Sequence, residues 1–581
     1  MSGTSSRPTT KLAAIAVVAL LVGLGVGYVY GSYVTAGRTA ADIQAAVQAA
    51  NAAWQAKMKE SKTLRIGIVS IGISLDPAYC WAGDPQQLIL LNVYDTLISM
   101  KGNNYGVYYP NLATHWTVSK DGLQYTFYMR KGVKFASGNE VNAKAAHYTY
   151  WRFMKLNLGP AWLFTQCLDV NSTDSVKVID DYTIQFNLKK RFPPFLSILA
   201  QMNGAVMDPA EVEAHGGVSQ KSVDYFSEHS GNAGSGPYIL DHWTREVEVV
   251  LKRNPRYWGG PENKQPWFDE IIFKEIKEPA DQKMMLERGD IDIAYNLTPD
   301  MWSELRGNPK YELTEIRVDR FFYLTMNCKQ ENSPFRDLNV RQAVKMALDR
   351  DELMKLARGN AVPQPSPQLA NYPGYDPELL RSPYSTHNLE KAKQLMAASK
   401  YPKGFKTGIL VSKAVSYGVN LEELALLVKQ QLAKINIDAD LVVYAPATAL
   451  KLFRGAEYEG MAIFSWGVDY FDGQNTADIC WKVDGVIVKR AGFSPDIHPY
   501  LLETDRLCNL AMETTDAKER DALYKAAGKL DNEFGPIYYM FQPVGYYVRR
   551  TVVRGGIPPY PGDRLSALYG FEIKDMWKEI K

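Results

Sequence analysis

An α/β fold divided over more than one lobe is what this sequence predicts, and three observations predict it. The chain is 581 residues long, far beyond the ~100–150 residues of a common single domain. Runs with strand periodicity alternate along it with runs of helical spacing, the pattern of an α/β architecture. Hydrophobic residues make up 46% and charged residues 22%, an ordinary globular composition that excludes a disordered, collagen-like or mainly membrane-embedded chain. Lys and Arg number 66 against 64 Asp and Glu. With no long basic run there is no electrostatic footprint for nucleic acid.

The first element is Leu12 to Val34, 23 residues without a charge, preceded by Arg7 and Lys11. As a helix it would span the ~30 Å hydrocarbon core, with its basic end in the cytoplasm and the rest of the chain outside. Two readings compete: an uncleaved anchor, favoured by the length, and a secretory signal cleaved near Thr35-Ala36-Gly37. Lipid attachment next to this segment is excluded, because the first cysteine is Cys80. Residues 39–60 are Ala-rich and lack Gly and Pro, so they read as a helix, either a stalk or a helix packed on the body.

The folded region opens with a strand at Leu64–Ser70, then a helix at Leu88–Leu97, a strand at Tyr125–Arg130 and a helix at Val141–Leu156. A strand at Thr183–Leu188 ends before the break Phe192-Pro-Pro-Phe195. Beyond Gly236-Pro237, strands are expected at Val247–Lys252, Ile271–Ile276, Gly408–Val411, Ala439–Tyr444 and Met461–Ser465. Helices are expected at Ala280–Arg288, Val340–Leu348, Leu389–Ala398, Leu421–Ile435 and Lys518–Glu533. Pro363 to Pro383 is Pro-rich and aperiodic, a long surface loop.

Signatures of catalysis are missing. None of the seven histidines has close metal-ligand spacing, and there is neither a nucleophile elbow nor a phosphate loop. Gly231-Asn-Ala-Gly-Ser-Gly-Pro237 is glycine-rich but leads into a strand, so it reads as a tight turn and not as a phosphate cradle, which needs a helix N-terminus. Asp290 and Asp292 are two acids at strand spacing, weak evidence for acid–base chemistry. Cys80, Cys167, Cys328, Cys480 and Cys508 are scattered without a C-x-x-C, so no zinc site is indicated and any disulfide pairing stays open.

Four stretches, in order, carry a resemblance. The first runs Pro110-Asn-Leu-Ala-Thr-His-Trp116, Ser119-Lys-Asp-Gly-Leu-Gln-Tyr-Thr-Phe127 and Arg130-Lys-Gly-Val-Lys-Phe135. The second is Gly236-Pro-Tyr238 with Leu251-Lys-Arg-Asn-Pro-Arg-Tyr-Trp258, and the third Gly289-Asp-Ile-Asp292. The fourth is Asn327 with Pro334-Phe-Arg-Asp337, Val340-Arg-Gln-Ala343 and Ala347-Leu-Asp-Arg350. Together they resemble the extracellular solute-binding proteins of family 5, the oligopeptide, dipeptide and nickel receptors of ABC importers. The chain departs from the family pattern at Asn139, at Ala143-Lys-Ala-Ala146 and at Asp469-Tyr-Phe-Asp-Gly473. Trp116, Tyr125, Phe127 and Trp258 read as core aromatics, since such rings bury large areas.

The resemblance implies an α/β, two-lobed periplasmic-binding-protein type fold with a hinge and an extra inserted subdomain, preceded here by an N-terminal membrane helix. The expected division is 1–38 for the cytoplasmic tip and anchor or signal and 39–61 for the stalk. The first lobe would take 62–98, 202–318 and 538–581, the inserted subdomain 99–201, and the second lobe 319–537. The implied function is capture of a peptide between the lobes and its delivery to permease subunits of an ABC importer, without catalysis, metal or cofactor. The protein would be a monomer on the extracytoplasmic face, anchored through the N-terminal helix, or secreted or periplasmic if that segment is cleaved. An oligosaccharide receptor is the rival within this class, and an enzyme using the same cleft is the rival outside it.

Asp469 lies just past the expected strand Met461–Ser465, where α/β sheets commonly place ligand contacts. By resemblance it receives the peptide's α-ammonium, with Trp466 as an apolar wall. A turn-capping or solvated loop acid is the bland alternative. Tyr470, Tyr79, Trp81 and Trp162 complete the expected cleft, and these aromatics, with Phe471, could stack on sugar faces as readily as cradle peptide side chains.

Overall fold

The structure is a computed structural model. It describes residues 40–79, 86–100, 106–229, 232–370, 372–514, 516–556, 565–566 and 573–579. In chain order the strands that matter here are β1 (Thr63–Ile68), β2 (Ala113–Val118), β3 (Gln124–Met129), β4 (Val176–Asp180), β5 (Thr183–Asn187), β6 (Tyr238–Thr244), β7 (Glu248–Arg253) and β8 (Glu270–Glu275). They continue with β9 (Ile293–Ala294), β10 (Tyr311–Arg317), β11 (Arg320–Met326), β12 (Phe405–Ser412), β13 (Ile437–Tyr444), β14 (Met461–Gly467) and β15 (Ile537–Arg550). The helices used below are α1 (Ala40–Ser61), α2 (Ala143–Leu156), α3 (Pro446–Arg454), α4 (Gly473–Trp481), α5 (Val486–Arg490), α6 (Tyr500–Glu513) and α7 (Ala517–Phe534).

One mixed sheet runs through the body in the order β13-β12-β14-β11-β15-β9-β1-β8-β7-β6. Parallel pairs such as β1 with β8 and β12 with β13 stand beside antiparallel ones such as β11 with β14. The two ends of this sheet belong to two lobes, and β15 joins them. Its residues 537–541 pair with β11, while 544–550 pair with β10. The neighbour changes at Gln542–Pro543, opposite Val318–Asp319, where Gln542 Nε2 donates to the Val318 carbonyl at 2.9 Å. Strand β11 (RFFYLTM) is apolar along nearly its whole length because both faces are covered.

A separate four-stranded antiparallel sheet, β2-β3-β5-β4, with helix α2 against it, falls within residues 99–201, the stretch expected to form the inserted subdomain. Asn142 Oδ1 accepts from the Ala145 N–H at 3.0 Å and caps the start of α2. Asn157 ends the helix in the left-handed region at φ 49°. The subdomain is fixed to the first lobe by a fully buried ion pair. Arg152 on α2 donates to both Asp76 oxygens at 3.1 and 2.7 Å, and to Ser222 Oγ at 3.0 Å. Tyr125 and Phe127 are buried, and Trp116 and Trp258 pack partly buried against the same core, so all four act as structural aromatics.

The expected membrane helix requires a correction. Among the described residues no helix is long and apolar enough to cross a membrane. The longest, α1, carries Lys57, Lys59 and Glu60, each costly in hydrocarbon. The stretch 12–34 lies outside the described residues. Among the described residues the fold is the two-lobed α/β fold, and the expected anchoring through an N-terminal helix finds no support there. Helix α1 is largely solvent-facing, with Trp54 38% exposed. It meets the body at its C-terminal end, where Lys578 Nζ reaches Glu60 at 2.9 Å.

The glycine-rich turn exists for close approach. A Cβ on Gly234 would lie 2.0 Å from the Val93 carbonyl oxygen, and strand β6 follows the turn. Asp292 is a buried anchor, taking the Arg65 N–H at 3.0 Å and Lys578 Nζ at 2.9 Å. Cys167, Cys328, Cys480 and Cys508 are buried free thiols, while Cys80 lies outside the described residues.

Candidate functional site

Strand β14 delivers the site. Its register sets Trp466 opposite Phe321 and Gly467 opposite Arg320 on β11. The chain then turns, with the Val468 N–H held by the Asp319 carbonyl at 3.0 Å, and presents Asp469 at the end of the sheet where the lobes join. Helix α4 starts just beyond, capped by Asp472, whose Oδ1 accepts from the Gln474 N–H at 2.9 Å. The turn-capping role thus falls to Asp472 and leaves Asp469 available.

The Asp469 carboxylate accepts a long hydrogen bond from Asn475 Nδ2 at 3.3 Å, and Asn475 Oδ1 in turn accepts the Asp469 N–H at 3.1 Å. Among the described residues it makes no ion pair. Burial pushes its pKa up to about 6, against the pull of the Asn475 hydrogen bond and the Arg320 charge. Arg320 is held by another partner, donating from Nη1 to Ser465 Oγ at 3.0 Å. A desolvated carboxylate with one neutral donor has most of its acceptor capacity unused. It is suited to a cationic donor brought in from outside.

Around it the structure gathers several of the expected residues. Trp466 is half-buried, and its indole Nε1 is buried without a partner. Tyr470 is almost wholly buried and bonds Gln474, with its ring 6.1 Å from both Trp162 and Phe192. It acts as a joint between the second lobe and the inserted subdomain. The Phe471 N–H, donating to Ser197 Oγ at 2.9 Å, and Arg191, donating to the Glu513 carbonyl at 2.6 Å, close the same joint. Tyr79 stands apart, half-buried in the turn after Asp76 on the first lobe. Trp81 lies outside the described residues. Arg320 and Asn475 were missed by the sequence reading. Only Asn475, six residues after Asp469 at the start of a helix, carried a signal that could have found it.

A cavity of 730 Å³ opens beside this joint, between the inserted subdomain and the second lobe, within the size range of small-ligand sites. Tyr108, Tyr125, Phe192, Tyr372 and Phe471 line it. So does the Asp472–Arg520 pair, bonded at 3.1 and 2.7 Å. Asp469 and Trp466 are not in its walls. Arg191 and Asp521 also line it, engaged with the Glu513 carbonyl and with Lys525. Among the described residues no group of three or more His, Cys, Asp or Glu is placed to hold a metal ion.

Comparison with known proteins bears on the family and the fold. The family model of bacterial extracellular solute-binding proteins, family 5 middle, matches residues 107–486. Di/tripeptide-binding protein 2 of Pseudomonas aeruginosa (strain UCBPP-PA14) is 26% identical over 527 residues, covering 87% of this chain and 94% of its own length. Glutathione-binding protein GsiB of Escherichia coli (strain K12) is 28% identical over 435 residues, covering 72% and 77%. The periplasmic binding protein DppA of Helicobacter pylori, solved with the peptide STSA, shares the fold. Its TM-score is 0.68 at 24% identity, over 89% of this chain and 98% of that one.

Proposed function

This chain belongs to the bacterial extracellular solute-binding proteins of family 5, and from that premise we propose that it captures a short peptide by its free amino end and hands it to an ABC importer. It works outside the cytoplasm, and it binds and releases its solute without transforming it. The observation that carries the peptide reading is Asp469, a half-buried carboxylate at the junction of the lobes that makes no ion pair among the described residues. An α-ammonium placed there gains a charge-assisted hydrogen bond little screened by salt. Trp466 then serves as an apolar wall beside the first residue. The relatives named for di/tripeptides and for glutathione, itself a peptide, support the same class of ligand.

Capture requires movement. In this reading the first lobe holds residues 62–98, 202–318 and 538–581, the inserted subdomain 99–201, and the second lobe 319–537. The chain crosses between lobes at Val318–Asp319 and on the way back through β15. The change of neighbour at Gln542–Pro543 favours a return crossing there, a few residues beyond 538. Two adjacent crossings let the lobes bend about one axis while both registers hold, as hinge closure needs.

Native mass spectrometry of protein purified without denaturation tests this function. The expected result is an adduct that is released by unfolding and sequences as an unmodified peptide. A neutral oligosaccharide, or a ligand chemically altered by the protein, would overturn it.

A further inference from the structure

The two lobes also meet away from Asp469. On the first-lobe side, the helix Pro299–Leu305 packs Trp302 and Leu305 into a core shared with Val548, in the half of β15 that pairs with β10. On the second-lobe side, Val415–Ser416 pairs with Val419–Asn420 as a two-residue hairpin. Of these four residues only Val419 is buried, in the core that holds Met461 and Phe541. The tip of the hairpin, Tyr417-Gly418, reaches the first lobe. A Cβ on Gly418 would lie 2.8 Å from both Cδ and Cγ of Pro299, so the backbone of the tip rests directly on the proline ring. Beside it, Arg358 of the second lobe pairs through Nη1 with Oδ2 of Asp300.

The packing of the second lobe alone does not account for this tip. Both central residues have positive φ, 50° at Tyr417 and 79° at Gly418, the backbone of a tight two-residue hairpin. Gly, Asn and Asp adopt it readily, whereas a bulky tyrosine does so under strain. Arg358 is left-handed too, at φ 51°. Burial does not offset the strain, for Tyr417 stays 45% exposed and Val415 68% exposed. The Tyr417 ring lies 5.6 Å from the Arg320 guanidinium carbon, and its phenol acts electrostatically on that of Tyr295 in the first lobe. Arg320 is also the cation whose charge reaches Asp469. The hairpin therefore stands on the Asp469 side of the crossing at Val318–Asp319.

We infer that the Tyr417-Gly418 tip is a latch, seated on Pro299 and flanked by the Arg358–Asp300 pair, that favours the closed arrangement of the lobes independently of the solute. This deepens the hinged two-lobe reading and rests on it. A contact made only on closure raises the closed population of the empty protein, and apparent affinity rises with that fraction whatever the ligand. The Arg358–Asp300 side chains are 59% and 60% exposed, so their pairing shifts the balance by a few-fold at most and weakens with salt. The seat at Gly418 decides more, because backbone against ring leaves no room for a side chain.

Gly418→Asn tests the latch, since asparagine tolerates positive φ but its side chain must push Pro299 away. Pro299→Ala removes the ring atoms it would strike, at the start of a helix, where alanine also fits. Small-angle scattering of ligand-stripped protein should give a larger radius of gyration for Gly418→Asn than for wild type. The double variant, Gly418→Asn with Pro299→Ala, should return toward the wild-type value, which a hairpin merely damaged by the substitution would not do. In titration calorimetry with tri-alanine, Gly418→Asn should lose about tenfold in affinity, and the double variant should recover most of it. An unchanged radius in Gly418→Asn, an expansion that Pro299→Ala does not relieve, or an unchanged affinity would overturn the latch. If wild type still contracts on saturation with ligand, hinge closure stands without it. If tri-alanine does not bind wild type, the peptide reading has failed, and scattering of the empty proteins decides the latch by itself.

Discussion

Asp469→Asn is expected to weaken binding of a free-amino peptide such as tri-alanine by about 2–4 kcal/mol, the cost of removing one partner from a desolvated charge pair. N-acetylated tri-alanine should bind wild type poorly and lose little more in the variant, because its amide nitrogen brings no charge to the carboxylate. The pH dependence follows from a pKa raised to about 6. Only the ionised carboxylate takes the ammonium. Affinity should therefore hold above pH 6 and fall as pH drops through it, and binding near pH 6 should release protons from Asp469. Stability of the empty protein runs the other way. A carboxyl whose folded pKa is raised contributes stability that is full below its unfolded pKa of ~3.9 and is lost as pH rises through about 6. Calorimetry in buffers of different ionisation enthalpy reads affinity and proton release together. Equal affinity for acetylated and free peptide, or no change in Asp469→Asn, would remove the amine anchor.

The second large effect is structural. Asp76→Ala is expected to destabilise the protein by about 3–5 kcal/mol, because Arg152 is left charged and fully buried without its partner. The pair joins helix α2 of the inserted subdomain to the first lobe, so its loss should also loosen that attachment. Replacing both residues by apolar ones of similar volume should cost far less, since the penalty comes mainly from the orphaned charge. Urea unfolding with an unchanged slope reads the difference. A loss under about 1 kcal/mol in the single variant would mean that water reaches Arg152 and the site is not sealed.

The periodic elements were legible in the sequence to within a few residues, because one covered face imposes a regular spacing. The helices at Leu389–Ala398 and Pro279–Arg288 and the strand Met461–Gly467 are examples. Strand β15, which joins the two lobes, was not legible. Pro543 and Gly545 in its middle read locally as breakers, yet they fall where the strand exchanges one neighbour, β11, for another, β10, so the interruption marks the crossing and not an end. Strand β11 was equally silent, since burial on both faces erases the alternation that identifies a strand. At the site, Asp469 could be singled out from its place after a strand and from family resemblance. Tyr470, expected in the cleft wall, turns out packed between Trp162 and Phe192.

Closure of the two lobes on a peptide is tested most directly by small-angle scattering of ligand-stripped protein, measured alone and then saturated with the peptide recovered from it. Ligand touches both lobes only when they are closed, so binding must shift the population toward the compact form. The account predicts a smaller radius of gyration on saturation. An unchanged profile at saturating peptide would contradict it.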